Sequence, residues 1–113
     1  MKNIGINYVE FNSHNLQETK AFYTHVFAWK FTDYGTNYIA FSESGIEGGF
    51  ELTTSPIVNG ALIVLYSDNL EFVQEKIISF GGKISIETFE FPGGKRFHFL
   101  DPSGNELAVW SRK

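Results

Sequence analysis

The tetrapeptides Ser13-His14-Asn15-Leu16 and Ser67-Asp68-Asn69-Leu70 decide the fold. Each follows a short apolar stretch that predicts a strand, Ile4 to Phe11 in the first case and Ala61 to Tyr66 in the second, and each opens a segment with helical spacing. Self-similarity of this kind indicates one supersecondary unit used twice. After each helical segment, apolar and polar residues alternate between glycine-rich turns, a pattern typical of strands. The sequence therefore predicts an α+β fold made of two βαβββ modules.

Both predicted helices carry start and stop signals. Asn15 can accept hydrogen bonds from the first free amides of the first helix, and Glu18 would complete a capping box. Asp68 and Glu71 form the corresponding pair in the second half. The second helix is expected to end at Gly81-Gly82, because glycine readily adopts the left-handed conformation that closes a helix.

Six further strands complete the predicted modules. Between them, Pro92-Gly93-Gly94 and the run from Asp101 to Asn105 predict tight turns, because proline presets φ and glycine or asparagine supplies left-handed positions. The segment from Ser55 to Gly60 has the composition of a linker, so we expect a single domain with modules at 1–56 and 57–113 that share one core. The predicted strands are Lys30–Tyr34, Tyr38–Ser42, Phe50–Thr54, Lys83–Phe91, Arg96–Leu100 and Glu106–Ser111.

Composition argues against several classes of protein. The 113 residues carry a net charge of −4 and their basic residues are scattered, which argues against nucleic-acid binding. The sequence has no cysteine, which excludes disulfides and thiolate metal sites and fits a reducing compartment. No apolar run reaches the length of a membrane span, and the start Met-Lys-Asn lacks a signal-peptide core. We expect a cytoplasmic protein that binds neither nucleic acid nor membrane.

Two stretches of the chain carry a family resemblance. The run from Asn15 to Phe31, NLQETKAFYTHVFAWKF, is similar to the "DL…S..FY..VFGW.F" signature of the vicinal oxygen chelate superfamily, which includes glyoxalase I, bleomycin-resistance proteins and extradiol dioxygenases. The run from Gly94 to Trp110 resembles the closing "F.DP.GN" segment of that family. Asn15 stands where the family usually has aspartate, and Ala28 where it usually has glycine. The resemblance implies strands curled around a cleft, helices on the outer face, and a homodimer in which both subunits can complete each cleft.

The resemblance also implies a metal site, and this chain has an ordinary ligand at only one of its four positions. Family enzymes hold a divalent metal in the cleft through His, Glu or Gln side chains, one from the first and one from the fourth strand of each module. The family spacing puts these four positions at Tyr8, Glu51, Leu62 and Ala108. Leucine and alanine offer no lone pair and neutral tyrosine is a poor ligand, so only Glu51 is an ordinary one. We therefore expect no metal at the family site and no cofactor.

Acidic residues near these positions leave an alternative open. Glu10 lies two residues beyond Tyr8 and Glu106 two before Ala108, so each shares a strand face with a family position. In one interpretation Glu10, Glu51 and Glu106 bind a cation or supply a general base, which makes Glu51 and Glu10 the catalytic candidates. In the other, these carboxylates are solvated at strand ends.

Four other side chains are candidates for contact with a small molecule. Arg96 and His98 share a strand face and could contact an anionic ligand, or they could lie on an exposed face beside a glycine turn. Tyr8 and Trp110 could line a pocket for a flat molecule, the alternative being core or interface packing. The full candidate ligand-binding set is Tyr8, Glu10, Glu51, Arg96, His98 and Trp110.

Two functional hypotheses of different class follow. The preferred one is a metal-independent, homodimeric binding protein of glyoxalase/bleomycin-resistance type, which holds a small organic ligand between aromatic walls. The alternative is a lyase, isomerase or dioxygenase that holds a divalent metal through Glu51, Glu10 and His98. A scaffold whose cleft is filled by its own side chains is a third possibility.

Overall fold

The chain folds into two consecutive βαβββ modules, as the sequence predicts, and the computed structural model describes residues 3–112. The first module contains β1 (Val9–Ser13), α1 (Leu16–Phe27), β2 (Lys30–Asp33), β3 (Tyr38–Ser42) and β4 (Gly48–Leu52). The second contains β5 (Ile63–Tyr66), α2 (Leu70–Ser79), β6 (Lys83–Phe91), β7 (Gly94–Leu100) and β8 (Glu106–Arg112). Neither helix is long and apolar enough to cross a membrane, so residues 3–112 contain no helix that could do so.

Each module forms one four-stranded mixed sheet. The strand orders are β1-β4-β3-β2 and β5-β8-β7-β6. In both sheets the first strand of the module pairs parallel with the last, and the other neighbours are antiparallel. The two sheets therefore repeat one topology, with β1 and β5 at corresponding edges.

One hydrophobic core joins the two modules. Tyr23 of α1 packs against Phe50 of β4, with ring centroids 5.1 Å apart. The adjacent residue Phe22 contacts Phe99 of β7 at 6.1 Å, and all four side chains are almost completely buried. Burial of aromatic side chains of this size stabilises a fold by about 1.5–3 kcal/mol each. Because α1 packs on both sheets, neither sheet is buried independently of the other.

In the structure the two repeated tetrapeptides form the same helix cap, in which a serine and the asparagine two residues later accept hydrogen bonds from backbone amides. Asn15 Oδ1 accepts from the amide of Glu18 at 3.0 Å, as predicted. The amide of Asn15 donates to Ser13 Oγ at 3.0 Å, so Ser13 supplies the second half of the cap that was expected from the Glu18 side chain. The chain after α1 turns through Ala28 in the left-handed conformation, with φ 62°.

The second helix repeats this cap one residue later than predicted. Its N-cap is Asn69, whose Oδ1 accepts from the amide of Phe72 at 3.0 Å, while the Asn69 amide donates to Ser67 Oγ at 3.2 Å. The predicted Asp68–Glu71 capping pair is therefore wrong, because Asp68 instead accepts a hydrogen bond from the Tyr66 hydroxyl at 2.9 Å. The predicted stop is confirmed, since α2 ends before Gly81, which has φ 98°.

The strand boundaries depart from prediction where a partner strand begins or ends. The first strand was expected at Ile4 to Phe11, but β1 starts only at Val9, opposite Gly48 of β4. Gly48 and Gly49 open β4 two residues before the predicted start at Phe50. A side chain at Gly48 would collide with the Val9 carbonyl, so glycine permits the close approach of the two strands. The other ends shift by two residues or fewer, with β3 and β6 as predicted.

The turn after β7 fastens the two modules together through the buried Asp101. Its Oδ1 accepts from the amides of Ser103, Gly104 and Asn105 at 2.9–3.0 Å. Its Oδ2 accepts from the hydroxyl of Tyr23 in α1 at 2.8 Å and from Asn105 Nδ2 at 3.0 Å. Burial raises the pKa of Asp101, and the hydrogen bonds from Asn105, Tyr23 and Gly104 oppose that rise. The predicted 101–105 turn is thus confirmed, and it also links two distant parts of the chain.

Candidate functional site

The face of each sheet that points away from the helices, here called its open face, carries the candidate site residues. In the second sheet Phe97 and Phe99 are fully buried in the core. Successive residues of a strand point to opposite faces, so Arg96 and His98 of β7 lie on the open face. Trp110 of β8 pairs with Arg96 across the ladder and shares that face. The structure therefore brings three of the predicted site residues together.

One ring nitrogen of His98 is hydrogen-bonded to Glu106, and the other has no partner in the described chain. Its Nδ1 lies 3.1 Å from Glu106 Oε2, a carboxylate oxygen that also accepts from Ser85 Oγ at 3.4 Å. A carboxylate only accepts, so Nδ1 is the donor of this hydrogen bond. His98 is 7% exposed, and its Nε2 is buried without a hydrogen-bond partner among residues 3–112. The imidazole is thus fixed in orientation with a second polar atom unsatisfied.

Arg96 is a cation packed on aromatic rings. Its guanidinium carbon lies 5.4 Å from the ring centroid of Phe89 and 5.9 Å from that of Phe91. Its Nε is buried and has no partner in the described part of the chain. The ion pairs between described residues are Lys20–Asp33 and His98–Glu106, so Arg96 has no carboxylate partner there. Cation–π contacts stabilise such a group by about 0.5–2 kcal/mol but do not neutralise its charge.

Aromatic side chains enclose this part of the open face. Trp110 contacts Tyr66 edge to face at 4.9 Å and Phe91 at 6.2 Å. Arg112 lies over Tyr66 at 5.1 Å and donates to its hydroxyl at 3.3 Å. We call the group formed by Phe89, Phe91, Arg96, His98, Glu106 and Trp110 the second-sheet site. It combines apolar walls with an unneutralised cation.

The open face of the first sheet holds a closed chain of hydrogen bonds. The Tyr38 hydroxyl donates to Glu10 Oε1 at 3.0 Å and lies 2.6 Å from the Tyr8 hydroxyl, which is then the donor to Tyr38. Burial, followed by the hydrogen bonds to Tyr8 and Glu10, raises the pKa of Tyr38 well above its ordinary value of 10.0. Glu51 lies opposite Tyr38 in the β3–β4 ladder and is exposed. Tyr8 and Glu10 are thus brought together through Tyr38, a residue that the sequence did not single out.

The residues at the family's metal positions do not fit a metal. The hydroxyl of Tyr8 is engaged by Tyr38, and Ala108 is buried opposite His98 in the β7–β8 ladder. Leu62, next to β5, has a hydrocarbon side chain. Across residues 3–112, no three His, Cys, Asp or Glu side chains are grouped so that they could hold an ion.

Cavities lie at the module junction and on the first sheet. An apolar cavity of about 250 Å³ between β1 and β5 is lined by Phe11, Trp29 and Ile63. A second, of about 170 Å³, has Glu10 and Glu106 among its lining residues, so these two candidates share a cavity while Glu51 lies outside its lining. The third, of about 430 Å³, lies beside Tyr8 on the open face of the first sheet.

Sequence reasoning missed the partners that give the second-sheet site its chemistry. The His98–Glu106 contact joins β7 to β8 and is eight residues apart in sequence, so no short motif encodes it. Phe89 and Phe91 were read only as strand residues. Their i, i+2 spacing on a strand that pairs with β7 was the available signal, because it places them on one face.

Comparison with protein families decides the relationship. The family model described as Glyoxalase/Bleomycin resistance protein/Dioxygenase superfamily matches residues 5–109. The chain belongs to this superfamily. The vicinal oxygen chelate resemblance of the two sequence stretches is thereby confirmed.

Solved structures of the superfamily share the fold. A glyoxalase/bleomycin resistance protein/dioxygenase family enzyme from Burkholderia phytofirmans has a TM-score of 0.82 at 14% identity, covering 95% of this chain and 98% of that chain. The fosfomycin resistance protein FosX from Listeria monocytogenes has a TM-score of 0.83 at 16% identity, covering 99% and 96%. A glyoxalase-related enzyme from Fulvimarina pelagi has a TM-score of 0.79 at 15% identity, covering 96% and 88%. No curated protein matches the chain in sequence. At these identities the likeness shows a common fold, and the function must be argued from the site.

Proposed function

We propose that this superfamily member is a metal-independent binding protein for a small organic molecule, with the second-sheet site as the binding site. The observation that carries the proposal is the pair of buried nitrogens, His98 Nε2 and Arg96 Nε, that lack partners in the described chain. An unsatisfied buried polar group is destabilising by about 1–3 kcal/mol, so native proteins rarely keep two side by side without a use. A ligand that reaches this face would supply the missing partners.

The walls of the site suit a flat ligand. Phe89, Phe91 and Trp110 offer apolar ring surface, and the polar groups among them are few. Ligand sites in proteins commonly combine an apolar lining with a small number of placed polar groups that fix orientation. Two observations argue against the metal-dependent alternative. Leu62 and Ala108 have no atom to ligate an ion, and no three His, Cys, Asp or Glu side chains among residues 3–112, Glu10, Glu51 and His98 included, are grouped so that they could hold one.

We propose further that the protein works as a homodimer in the cytoplasm. Exposed apolar side chains support the dimer: Ile4 is 101% exposed, Ile6 79% and Val64 42%. Exposed apolar surface of this kind is what a second subunit could cover. Light scattering at micromolar concentration tests this part, and a monomer mass would contradict it. The cytoplasmic location is supported by the absence of cysteine.

A thermal-shift screen tests the binding function. The purified wild-type protein and the variant Arg96→Met would be screened against divalent metals and a panel of small organic acids, amines and neutral metabolites. A ligand that binds the native state raises Tm, by mass action. We expect at least one organic compound to raise the Tm of the wild type but not that of Arg96→Met. We expect no metal to raise the Tm of either protein. Lys95→Met, which removes a charge from the neighbouring exposed residue, is the matched control and should respond as the wild type does.

Metal analysis separates this proposal from the metal-dependent alternative. Stoichiometric Ni, Zn, Mn or Fe in the purified protein, lost in Glu51→Ala, would establish the alternative. A screen in which no organic compound raises Tm would contradict the binding function.

A further inference from the structure

Arg96 has no counter-charge among the described residues. Its guanidinium packs on Phe89 and Phe91, and its buried Nε is unpaired. An anion from outside the chain would give the half-buried guanidinium a counter-charge and its buried Nε an acceptor. The planar guanidinium fork matches the two oxygens of a carboxylate, which it binds through parallel hydrogen bonds. One end of the ligand is therefore assigned as a carboxylate.

His98 requires a different partner from Arg96. Its Nδ1 donates to Glu106, so in the neutral imidazole Nε2 carries a lone pair and accepts. A carboxylate on that side would also approach the negative charge of Glu106, which disfavours an anion there. The group that satisfies Nε2 is an O–H or N–H donor. The sequence alone had suggested one anion for both side chains, whereas the geometry gives each a separate partner.

Arg96 and His98 lie beside the same ring: the Phe89 centroid is 5.4 Å from the guanidinium carbon and 6.0 Å from the centre of the His98 ring. Arg96 and His98 are two residues apart on β7, which separates their Cα atoms by about 6.7 Å. A benzene ring with substituents at opposite positions spans a comparable length. Such a ring would lie against Phe89, Phe91 and Trp110, where offset or edge-to-face contacts are favourable.

Phe89 is the side chain that contacts both Arg96 and His98. Its ring lies 6.0 Å from the His98 ring and covers the guanidinium of Arg96, yet the residue is 38% exposed. The β6–β7 register shifts between Ile86 and Phe89. Irregularities of this kind re-aim side chains and are over-represented next to functional sites. A turn of the Phe89 side chain away from β7 would open both Arg96 and His98.

We propose that the ligand of the second-sheet site is an aromatic carboxylate that carries a hydrogen-bond donor on the opposite side of its ring. The carboxylate binds Arg96, the donor binds His98 Nε2, and the ring replaces Phe89 over the strand. This proposal rests on the proposed binding function and specifies the chemistry of its ligand.

Isothermal titration with three matched probes tests the assignment. The probes are 4-hydroxybenzoate, 4-fluorobenzoate, which is similar in size but has no donor, and phenol, which has no carboxylate. We expect the wild type to bind 4-hydroxybenzoate at least tenfold more tightly than either of the others. Equal affinity for 4-hydroxybenzoate and 4-fluorobenzoate would overturn the role of His98, and equal affinity for 4-hydroxybenzoate and phenol would overturn that of Arg96.

Variants assign each effect to its residue. His98→Leu should weaken 4-hydroxybenzoate to the level of 4-fluorobenzoate and leave 4-fluorobenzoate unchanged. Arg96→Met should weaken both benzoates about equally and leave phenol unchanged, while Lys95→Met should bind all three as the wild type does. Should His98→Leu fail to fold, His98→Phe keeps an aromatic ring at the buried position without an acceptor and should remove the preference for the hydroxyl.

The outcomes separate the ligand class from the binding function. If none of the three probes binds while another compound of the thermal-shift panel stabilises the wild type and not Arg96→Met, the ligand class is wrong and the binding function stands. If neither the probes nor any compound of the panel binds, both proposals fail.

Discussion

The two sheets have the same topology, but the polar side chains on their open faces differ in whether their hydrogen bonds are satisfied. On the first sheet Tyr8, Tyr38 and Glu10 satisfy one another in a chain of hydrogen bonds. On the second, His98 and Arg96 each keep a buried nitrogen that no described residue satisfies. A protein gains stability from the first arrangement and gives some up in the second. The two copies of the module therefore differ: the polar groups on one open face satisfy one another, and those on the other leave two buried nitrogens for the proposed ligand.

The largest effect is expected from a variant that breaks the hydrogen bonds linking the two modules. Asp101→Ala removes the acceptor of five hydrogen bonds and leaves the Tyr23 hydroxyl and several turn amides unpaired. We expect a loss of about 3 kcal/mol or more in the free energy of unfolding, since bonds to a charged acceptor are the stronger ones. Urea unfolding measures it. Asp101→Asn, which keeps one carbonyl oxygen for the turn amides, should lose less, and a loss below about 1 kcal/mol in Asp101→Ala would contradict the role of the turn.

This link marks a limit of what the sequence predicts. The turn from Asp101 to Asn105 depends on the conformational preferences of neighbouring residues, so proline, glycine and asparagine alone predict it. Its bond to Tyr23 spans 78 residues and depends on packing that no local pattern contains. The same holds for β1, whose start is set by the position of β4 rather than by the apolar run that begins at Ile4.

The site was predictable in its residues but not in its roles. Alternation along β7 places Arg96 and His98 on one face, and the family spacing identifies hydrocarbon at Leu62 and Ala108. Which nitrogen of His98 is free depends on Glu106, a residue of the neighbouring strand. The Ser-x-Asn repeat favours a cap at Asn69, but Asp68 has an equally good capping side chain in the sequence. The structure decides between them, because the Asp68 carboxylate accepts from the Tyr66 hydroxyl and Asn69 caps the helix.

Alkaline pH should weaken the first module through its tyrosines. Burial and the neighbouring Asp101 carboxylate raise the pKa of Tyr23 above its ordinary value of 10.0. A group whose pKa is raised by folding contributes stability that is complete below its unfolded pKa, near 10, and that is lost as pH rises through the folded value. We expect the free energy of unfolding to fall by up to about 1.4 kcal/mol per pH unit above pH 10 for this group. Denaturant unfolding between pH 8 and 11.5 measures the slope, which should be shallower in Tyr23→Phe; an equal slope in both proteins would contradict the assignment.

The ends of the two helices offer a matched pair of smaller effects. The chain leaves α1 through Ala28 with φ 62° and leaves α2 through Gly81 with φ 98°. A residue with a Cβ is strained in this region by roughly 1 kcal/mol, whereas glycine is not. Ala28→Gly should therefore raise the free energy of unfolding by about 1 kcal/mol, and Gly81→Ala should lower it by a similar amount. Chemical denaturation checks both, and a destabilised Ala28→Gly variant would mean that its methyl group has a packing role.

The smallest expected effects test the contrast between the open faces directly. Tyr38→Phe on the first sheet removes the middle of the hydrogen-bond chain and should lower the free energy of unfolding by about 1 kcal/mol. Arg96→Met on the second sheet keeps a long side chain over Phe89 and Phe91 but removes a half-buried guanidinium whose buried Nε is unpaired. The variant loses cation–π contacts of about 0.5–2 kcal/mol but relieves an unsatisfied buried nitrogen that costs about 1–3 kcal/mol, so we expect a net gain of about 0.5 kcal/mol in the ligand-free protein. Urea unfolding of the two variants beside the wild type should give changes of opposite sign. If both variants lose stability by similar amounts, Arg96 supports the fold as Tyr38 does, and the second sheet is not the one set aside for a ligand.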